Sequence, residues 1–392
     1  MIAPASIPVT GAEAICNVKL LKVLSENGYK IDLISKKMKY THYPETDLAE
    51  LGLSLNSVSI IEVDNKMSLK VIWQHLCCLF IFGTVFKGAH WAYCALKTAK
   101  KLCKENQYDA IITKNSPSEL LGSYFKKKKG YKWIATWNDP YPTKKYPKPY
   151  GNGVTAKLFI LESPLLNLME KADYHIFPNQ RIRDYMRSYL NIPSEKTRII
   201  PHVVIPREHH DTPHENLRIV HLGNLLPPRD AAPFLRALTE FIKNEKDAKL
   251  EIAFIGQTPQ SVKDFVNTNH LEKYVKIFPP VKYKESQHIL ENYDIQLIVE
   301  APCEEGIFLP TKVSDSMQLG KPIFTISPSV GVLNDLYKQG HISYFSSVQN
   351  EKNILSTLRQ IYKDFTNGKI KSFSLEKSYS PRTIFQQYNE II

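Results

Sequence analysis

Two doubly wound α/β domains, each built on a parallel sheet covered on both faces, are what this sequence predicts. Three observations carry the prediction. Short β-branched runs alternate with helical stretches along the whole chain, the pattern that builds right-handed βαβ units. Many of those runs lack a clean apolar/polar alternation, as expected of strands buried on both faces. The 392 residues exceed one ordinary core and suit two.

The chain opens unusually. Only Met1, Ile2 and Ala3 precede the loop 4–11, which ends in Thr10 and Gly11, and a helix follows over about residues 12–27. A first strand of normal length needs several more residues. Either the strand is stunted or the start codon is assigned late, and the second is the expectation. Strands are then expected at 30–35, 110–113, 133–136, 174–177 and 197–200. A polar stretch, 206–214, separates them from a second series at 219–222, 250–255, 295–299 and 322–326. The boundary therefore falls near residue 205, giving domains over 1–205 and 206–377. His209, His210 and His214 lie in the Pro-bracketed stretch without metal-ligand spacing, and read as solvated chain. Residues 378–392, with Pro381 suited to a helix start, read as a terminal helix.

Composition narrows the class. The chain is 43% hydrophobic and 23% charged, which is globular rather than disordered. The six cysteines, Cys16, Cys77, Cys78, Cys94, Cys103 and Cys303, form no C-x-x-C pair, and their spacing fits neither zinc nor a disulfide framework. A reducing cytoplasm is the easier setting. No basic segment followed by an apolar core opens the chain, so no signal peptide is read. The longest apolar run, 76–86, is well short of the roughly 20 residues that span a bilayer, and suits a buried or interfacial helix. The net charge of +12 gathers in the N-terminal half, at Lys97, Lys100, Lys101, Lys104 and Lys126 to Lys129. Such a block is either a solvated face or an attractor of polyanions. Without an RNA- or DNA-binding motif, nucleic acid is the least favoured partner.

In open α/β sheets, ligands sit beyond the carboxyl ends of the strands. After 219–222 come Gly223 and Asn224, then Arg229 close to a helix start, where phosphate is favoured by free amides and the dipole. A guanidinium there could clamp a diphosphate in bidentate fashion; a surface arginine on an ordinary βα turn is the alternative. After 295–299 the stretch from Glu300 to Pro322 is the most specific in the chain. Pro310 and Thr311 suit a helix start whose first-turn N–H groups point into the crevice. Lys312 adds charge beside them, and Asp315 lies one turn on, placed to accept from a hydroxyl pair. Gly320, Lys321 and Pro322 stop the helix.

This stretch resembles the donor-binding signature of the retaining GT-B glycosyltransferases, the group 1 or family 4-like enzymes common in bacterial surface-polysaccharide assembly. In that family an acidic-Gly segment leads to a Pro-Ser/Thr-Lys turn, an acidic residue three positions later, and Gly-Lys-Pro. The loop 223–229 is similar to the family's other phosphate loop, whose two basic positions fall at Asn224 and Arg229, so only Arg229 is kept. The acidic pair falls at Glu305 (or Glu304) and Asp315, with Asp in place of the usual Glu. The resemblance implies two Rossmann-like domains facing a central crevice, the second binding a nucleoside-diphosphate-sugar. Arg229 and Lys312 would neutralise the leaving diphosphate, and Asp315 would hold the ribose. Glu305 with the backbone of Gly306 and Ile307 would hold the sugar. Gly256 resembles a further family loop, and backbone groups near Val281 would meet the base. Preorganised cations and amides stabilise a departing diphosphate without a metal. No D-x-D motif stands where a metal would bridge phosphates, so neither metal nor other cofactor is expected.

The first domain would supply the acceptor side. Gly11 lets backbone approach the donor, while Asn115, Asn138 and Asp139 follow strands at the crevice edge. Asp139 resembles the acidic residue of an Arg-Asp-Pro-Trp-like segment of the family, with Asn138 in the Arg position. Its carboxylate would orient or deprotonate an acceptor hydroxyl; a turn-former before proline is the alternative. Residues 378–392 look like the helix that crosses back to the first domain in this fold. The expected activity is transfer to a glycan acceptor, lipid-linked in a peripheral enzyme on the inner face of the cell membrane, docked through the basic block and the apolar segment near residues 70–96. Two alternatives share the architecture: an isomerase similar to the sugar-nucleotide 2-epimerases, which needs more acid/base groups, and a non-catalytic ligand-binding protein.

Overall fold

The computed structural model describes residues 1–7, 11–37, 57–64, 70–84, 86–115, 117–160, 162–208, 214–371, 373 and 375–392. Thr10, His209 and His210 lie outside the described residues. The chain divides into two compact units. The first comprises Met1–Tyr146, Gly151–Val203 and Ser378–Ile392, the second Pro147–Tyr150 and Val204–Lys377.

The first unit runs through α1 (Ala12–Glu26), β1 (Ile31–Lys37), β2 (Val58–Asp64), α2 (Val71–Phe82), α3 (Ala89–Glu105) and β3 (Ala110–Lys114). It continues with α4 (Ser118–Lys129), β4 (Lys132–Thr136), α5 (Ser163–Met169), β5 (Tyr174–Phe177), α6 (Gln180–Arg187) and β6 (Thr197–Ile199). β1 pairs β2, and β3 to β6 lie side by side, all parallel. The opening residues join these two parts. Ile2 bridges Ile34 on one side and Thr113 on the other. Its N–H donates to the Ile112 carbonyl at 2.8 Å, and the Ala3 N–H to that of Ile34 at 2.9 Å. Residues 1–3 thus take the central strand position between β1 and β3, short as they are.

Alternate strand residues serve opposite faces. Leu33 joins Ala3, Val18 and Leu21 beneath α1, while Ile34 joins Ile2, Trp91, Leu96 and Phe125 beneath α3 and α4. α4 lies so close to β4 that a Cβ on Gly122 would stand 2.1 Å from Trp133 Nε1. That indole N–H donates to Thr113 Oγ1 at 2.9 Å. The apolar run behaves differently from a core helix: α2 buries only Cys78 and Phe82, and leaves Trp73 64% and Phe80 87% exposed. Among the described residues no helix is long and apolar enough to cross a membrane.

The second unit runs through β7 (Leu217–Leu222), α7 (Ala232–Asn244), β8 (Leu250–Ile255), α8 (Gln260–Thr268), β9 (Val275–Phe278) and α9 (Tyr283–Glu291). Then follow β10 (Ile295–Val299), α10 (Thr311–Gln318), β11 (Ile323–Ser327), α11 (Val332–Lys338), β12 (Tyr344–Ser347) and α12 (Glu351–Thr366). The sheet order is β12-β11-β10-β7-β8-β9, parallel throughout. Leu217 and Ile219 face one core with Phe234, Leu238 and Leu358, and Val220 and Leu222 face another with Leu290 and Leu319.

The last helix, α13 (Pro381–Asn389), belongs to the first unit. Ser380 caps it, accepting from the Thr383 N–H at 3.2 Å. Tyr29 packs edge-on to Phe385 and donates to Asn389 Oδ1 at 2.9 Å.

Candidate active site

In the second unit the chain winds β7-β8-β9 one way, then returns through β10-β11-β12 on the other side of β7. The loops after β7 and β10 therefore open side by side at the switch point, where such sheets bind ligands. After β7, Gly223 has φ of 97°, a region that favours glycine. A Cβ there would stand 3.1 Å from Lys312 Cε. Gly256 after β8 has φ of 140°, and a Cβ on it would come within 2.5 Å of the Gly223 carbonyl oxygen. The two loops are laced together: the Gly223 N–H donates to the Ile255 carbonyl at 2.7 Å and the Leu225 N–H to that of Gln257 at 2.9 Å. Asn224 contributes to the same lacing, since its Oδ1 accepts from the Gln257 N–H at 3.0 Å.

Lys312 stands in the first turn of α10, after Pro310 and Thr311, and its Nζ lies 3.1 Å from His221 Nε2. The other ring nitrogen, Nδ1, is 3.1 Å from the Leu297 carbonyl, which can only accept. Nδ1 thus carries the proton, and Nε2 accepts from the ammonium. Burial, reinforced by the Lys312 charge, holds His221 well below its ordinary range, so the ring is neutral. Burial and the nearby Arg229 push Lys312 down to about 7, against the pull of Glu300 and Asp315. Arg229 Nε donates to Glu300 Oε1 at 3.2 Å, and the Tyr150 hydroxyl donates to Glu300 Oε2 at 3.2 Å. Asp315 Oδ1 accepts from the Tyr283 hydroxyl at 2.7 Å.

Gly223, Arg229, Lys312 and Asp315, read from the sequence as donor-binding, are thus brought to one place. Other expected residues are arranged differently. The Gly306 N–H donates to the Val330 carbonyl at 2.9 Å and its carbonyl accepts from Val332 N–H at 2.8 Å, so this backbone already bonds the segment before α11. Glu304 is exposed, Glu305 half-buried and Ile307 buried. Gly256, with Gln257, Pro279 and Pro280, lines a separate cleft along β8 and β9, whereas Val281 packs onto the apolar cluster of Val220 and Leu222. Glu300, His221, Tyr283 and Tyr150 are site residues that sequence reasoning did not single out.

The first unit has its own switch point, between residues 1–3 and β3. Gly11 caps α1 in extended backbone, and Glu13 sits in the first turn. Asn115, directly after β3, adopts φ of 55°, and its Oδ1 accepts from the Asn138 N–H at 3.2 Å. Ser116 lies outside the described residues. Burial pushes Glu13 up to about 7, opposed by a hydrogen bond with Asn115 and reinforced by Asp139. Burial likewise lowers the Lys114 ammonium to about 8, against Cys16 and Glu13. Asn115, Asn138 and Asp139 therefore do gather, joined by Glu13 and Lys114, which sequence reasoning missed. The available signal was a carboxylate in the first turn after a Gly-bearing loop. Among the described residues, no group of three or more His, Cys, Asp and Glu side chains is placed to hold a metal ion.

Two parallel-sheet units of this winding have the GT-B fold, and together with the family match they support a nucleotide-sugar glycosyltransferase. Residues 17–208 match the family described as Glycosyltransferase Family 4. The fold is similar to that of HepE from Anabaena, solved with UDP and glucose, at 14% identity and a TM-score of 0.64 over 99% of this chain and 98% of that one. It is also similar to the lipopolysaccharide outer core galactosyltransferase WaaB, at 14% identity and a TM-score of 0.59 over 100% and 97% of the two chains. Sucrose-phosphate synthase from Thermosynechococcus elongatus shares 12% identity and a TM-score of 0.67 over 100% and 97%. No curated protein matches the chain by sequence.

Proposed function

We propose that the protein is a retaining, metal-independent glycosyltransferase that moves a sugar from a nucleoside-diphosphate-sugar to a lipid-linked glycan acceptor. The observation that carries this reading is the meeting of Arg229 and Lys312 at the switch point, 3.2 Å from Glu300 and 3.1 Å from His221 respectively. Breaking the glycosidic bond leaves a nucleoside diphosphate whose negative charge grows as it departs. Two fixed cations and the first-turn amides of α10 stabilise that charge before the reaction begins, which is the role a metal would otherwise take. Asp315 holds the ribose and Glu305 the sugar. On the acceptor side Asp139, oriented with Asn115 and Asn138, receives the acceptor hydroxyl. HepE, solved with UDP and glucose, and WaaB, a lipopolysaccharide galactosyltransferase, support the donor and acceptor classes. The enzyme works as a peripheral protein on the inner face of the cell membrane.

Thermal-shift measurements against UDP, GDP, ADP, CDP and TDP, each in EDTA and in Mg²⁺, test the donor reading. One diphosphate should raise the melting temperature equally in both media. Arg229→Ala and Lys312→Ala should each weaken its binding about 10- to 100-fold, the loss expected for one charged hydrogen-bonding group. No shift with any diphosphate sinks the reading, and a shift that needs Mg²⁺ sinks the metal independence. The anomeric configuration of the product, followed by NMR against that of the donor, decides between retention and inversion.

A further inference from the structure

We propose that Tyr150 and Glu300 are positioning residues for the donor diphosphate, holding the Arg229 guanidinium in its receiving pose. The inference rests on the donor reading above and extends it to two residues outside any recognised signature.

Glu300 follows β10, and its N–H donates to the Ile326 carbonyl at 2.9 Å, so the backbone beneath it is fixed. Its side chain is only 10% exposed, and each oxygen has one partner: Arg229 Nε on Oε1, the Tyr150 hydroxyl on Oε2. Tyr150 is fixed in turn, its ring packed edge-on to Phe308 with centroids 5.1 Å apart and planes at 75°. The same ring lies under the guanidinium, 5.8 Å from its central carbon. Arg229 is thus held on its Nε side by a carboxylate and over its face by an aromatic ring. A guanidinium carries five N–H donors, and the Nε contact uses one of them. The Tyr150 hydroxyl also lies within hydrogen-bonding reach of the guanidinium, and the donors beyond these two contacts are presented to a phosphate, already oriented. Glu300 has a second effect: its charge offsets the repulsion between Arg229 and Lys312 and helps keep Lys312 protonated. Tyr150 lies in the segment Pro147–Tyr150, which packs with the second unit although its sequence neighbours on both sides pack with the first.

Three full-length variants test the proposal: Tyr150→Phe, Glu300→Gln and Arg229→Ala, with dissociation constants measured for UDP, GDP, ADP, CDP and TDP. Tyr150→Phe keeps the ring and removes the hydroxyl. It should weaken the diphosphate that binds wild type about 3- to 10-fold and raise the donor KM by the same factor, leaving kcat within twofold. In an Arg229→Ala background the same substitution should have no further effect. Glu300→Gln should weaken binding and move its loss with rising pH to lower pH; Tyr150→Phe should leave that pH unmoved. Unchanged affinity in Tyr150→Phe, additive losses with Arg229→Ala, or tighter binding in Glu300→Gln would each overturn the proposal while the donor reading stands. If wild type binds none of the five diphosphates, both readings fall.

Discussion

At the scale of single residues, Lys312 carries the most consequence, because its charge depends on the solution near neutrality. The groups that face it are His221, Arg229, Glu300 and Asp315, and the neutral ring of His221 adds no charge. With its ammonium held down at about 7, Lys312 is largely deprotonated in the empty site at pH 8. A bound diphosphate favours the charged form, so binding draws in a proton. Diphosphate affinity should fall as pH rises from 7.5 to 9, approaching about tenfold per unit. That range lies above the last phosphate ionisation near 6. Calorimetry in buffers of different ionisation heat should show proton uptake, and Lys312→Arg should flatten the dependence. A flat wild-type profile would contradict the assignment. Arg229, Lys312 and Asp315 were legible in the sequence because each lies on a local turn-and-helix pattern. Their partners were not, for a topological reason. Glu300 lies 71 residues from Arg229 and 150 from Tyr150, and His221 lies 91 from Lys312. Only the strand order brings them together.

At the scale of elements, the α4–β4 contact shows how one position governs a packing distance. An alanine at Gly122 would drive its methyl into the fully buried Trp133 indole and disturb the bond to Thr113. Overpacking costs about 1–3 kcal/mol, more than the roughly 1 kcal/mol of helix propensity gained. Gly122→Ala should therefore lower the urea midpoint for loss of the first unit, followed by tryptophan fluorescence; an unchanged or higher midpoint would refute the contact. The strands expected from β-branched runs match their observed positions to within two residues or so at either end. Three strands escaped notice. β2 shows most of its side chains to solvent, β9 is only four residues long, and β12 carries the sequence Tyr-Phe-Ser-Ser. Each forms because its neighbour in the sheet supplies the pairing, and a local pattern carries no record of that. The apolar run in α2 was visible, but its outward face was not, since periodicity alone cannot say which side meets protein.

At the scale of the whole molecule, exposed apolar and basic surfaces bear on where the enzyme works. α2 presents Ile72, Trp73, Leu76 and Phe80 to solvent, a helical i, i+4, i+8 stripe with Trp73 beside it. The lysines of α3 and α4 belong to the same unit, and Lys97, Lys101, Lys104, Lys127, Lys128 and Lys129 are exposed. Apolar insertion and attraction to anionic headgroups reinforce one another. Co-sedimentation with vesicles containing anionic lipid should capture the protein at low salt and release it progressively as salt rises. Trp73→Ser with Phe80→Ser should reduce capture at least severalfold. No capture at low salt would remove the membrane from the proposal.

The chain passes between its units four times, at 146/147, 150/151, 203/204 and 377/378. Recombination between two genes of this architecture, joined in the linker near residue 205, would carry Arg229, Glu300 and Lys312 together from one parent. Tyr150 would come from the other. A chimera would inherit Arg229 and the ring beneath it from different ancestors, so exchanging the proposed donor site cleanly means transplanting the tetrapeptide Pro147–Tyr150 as well.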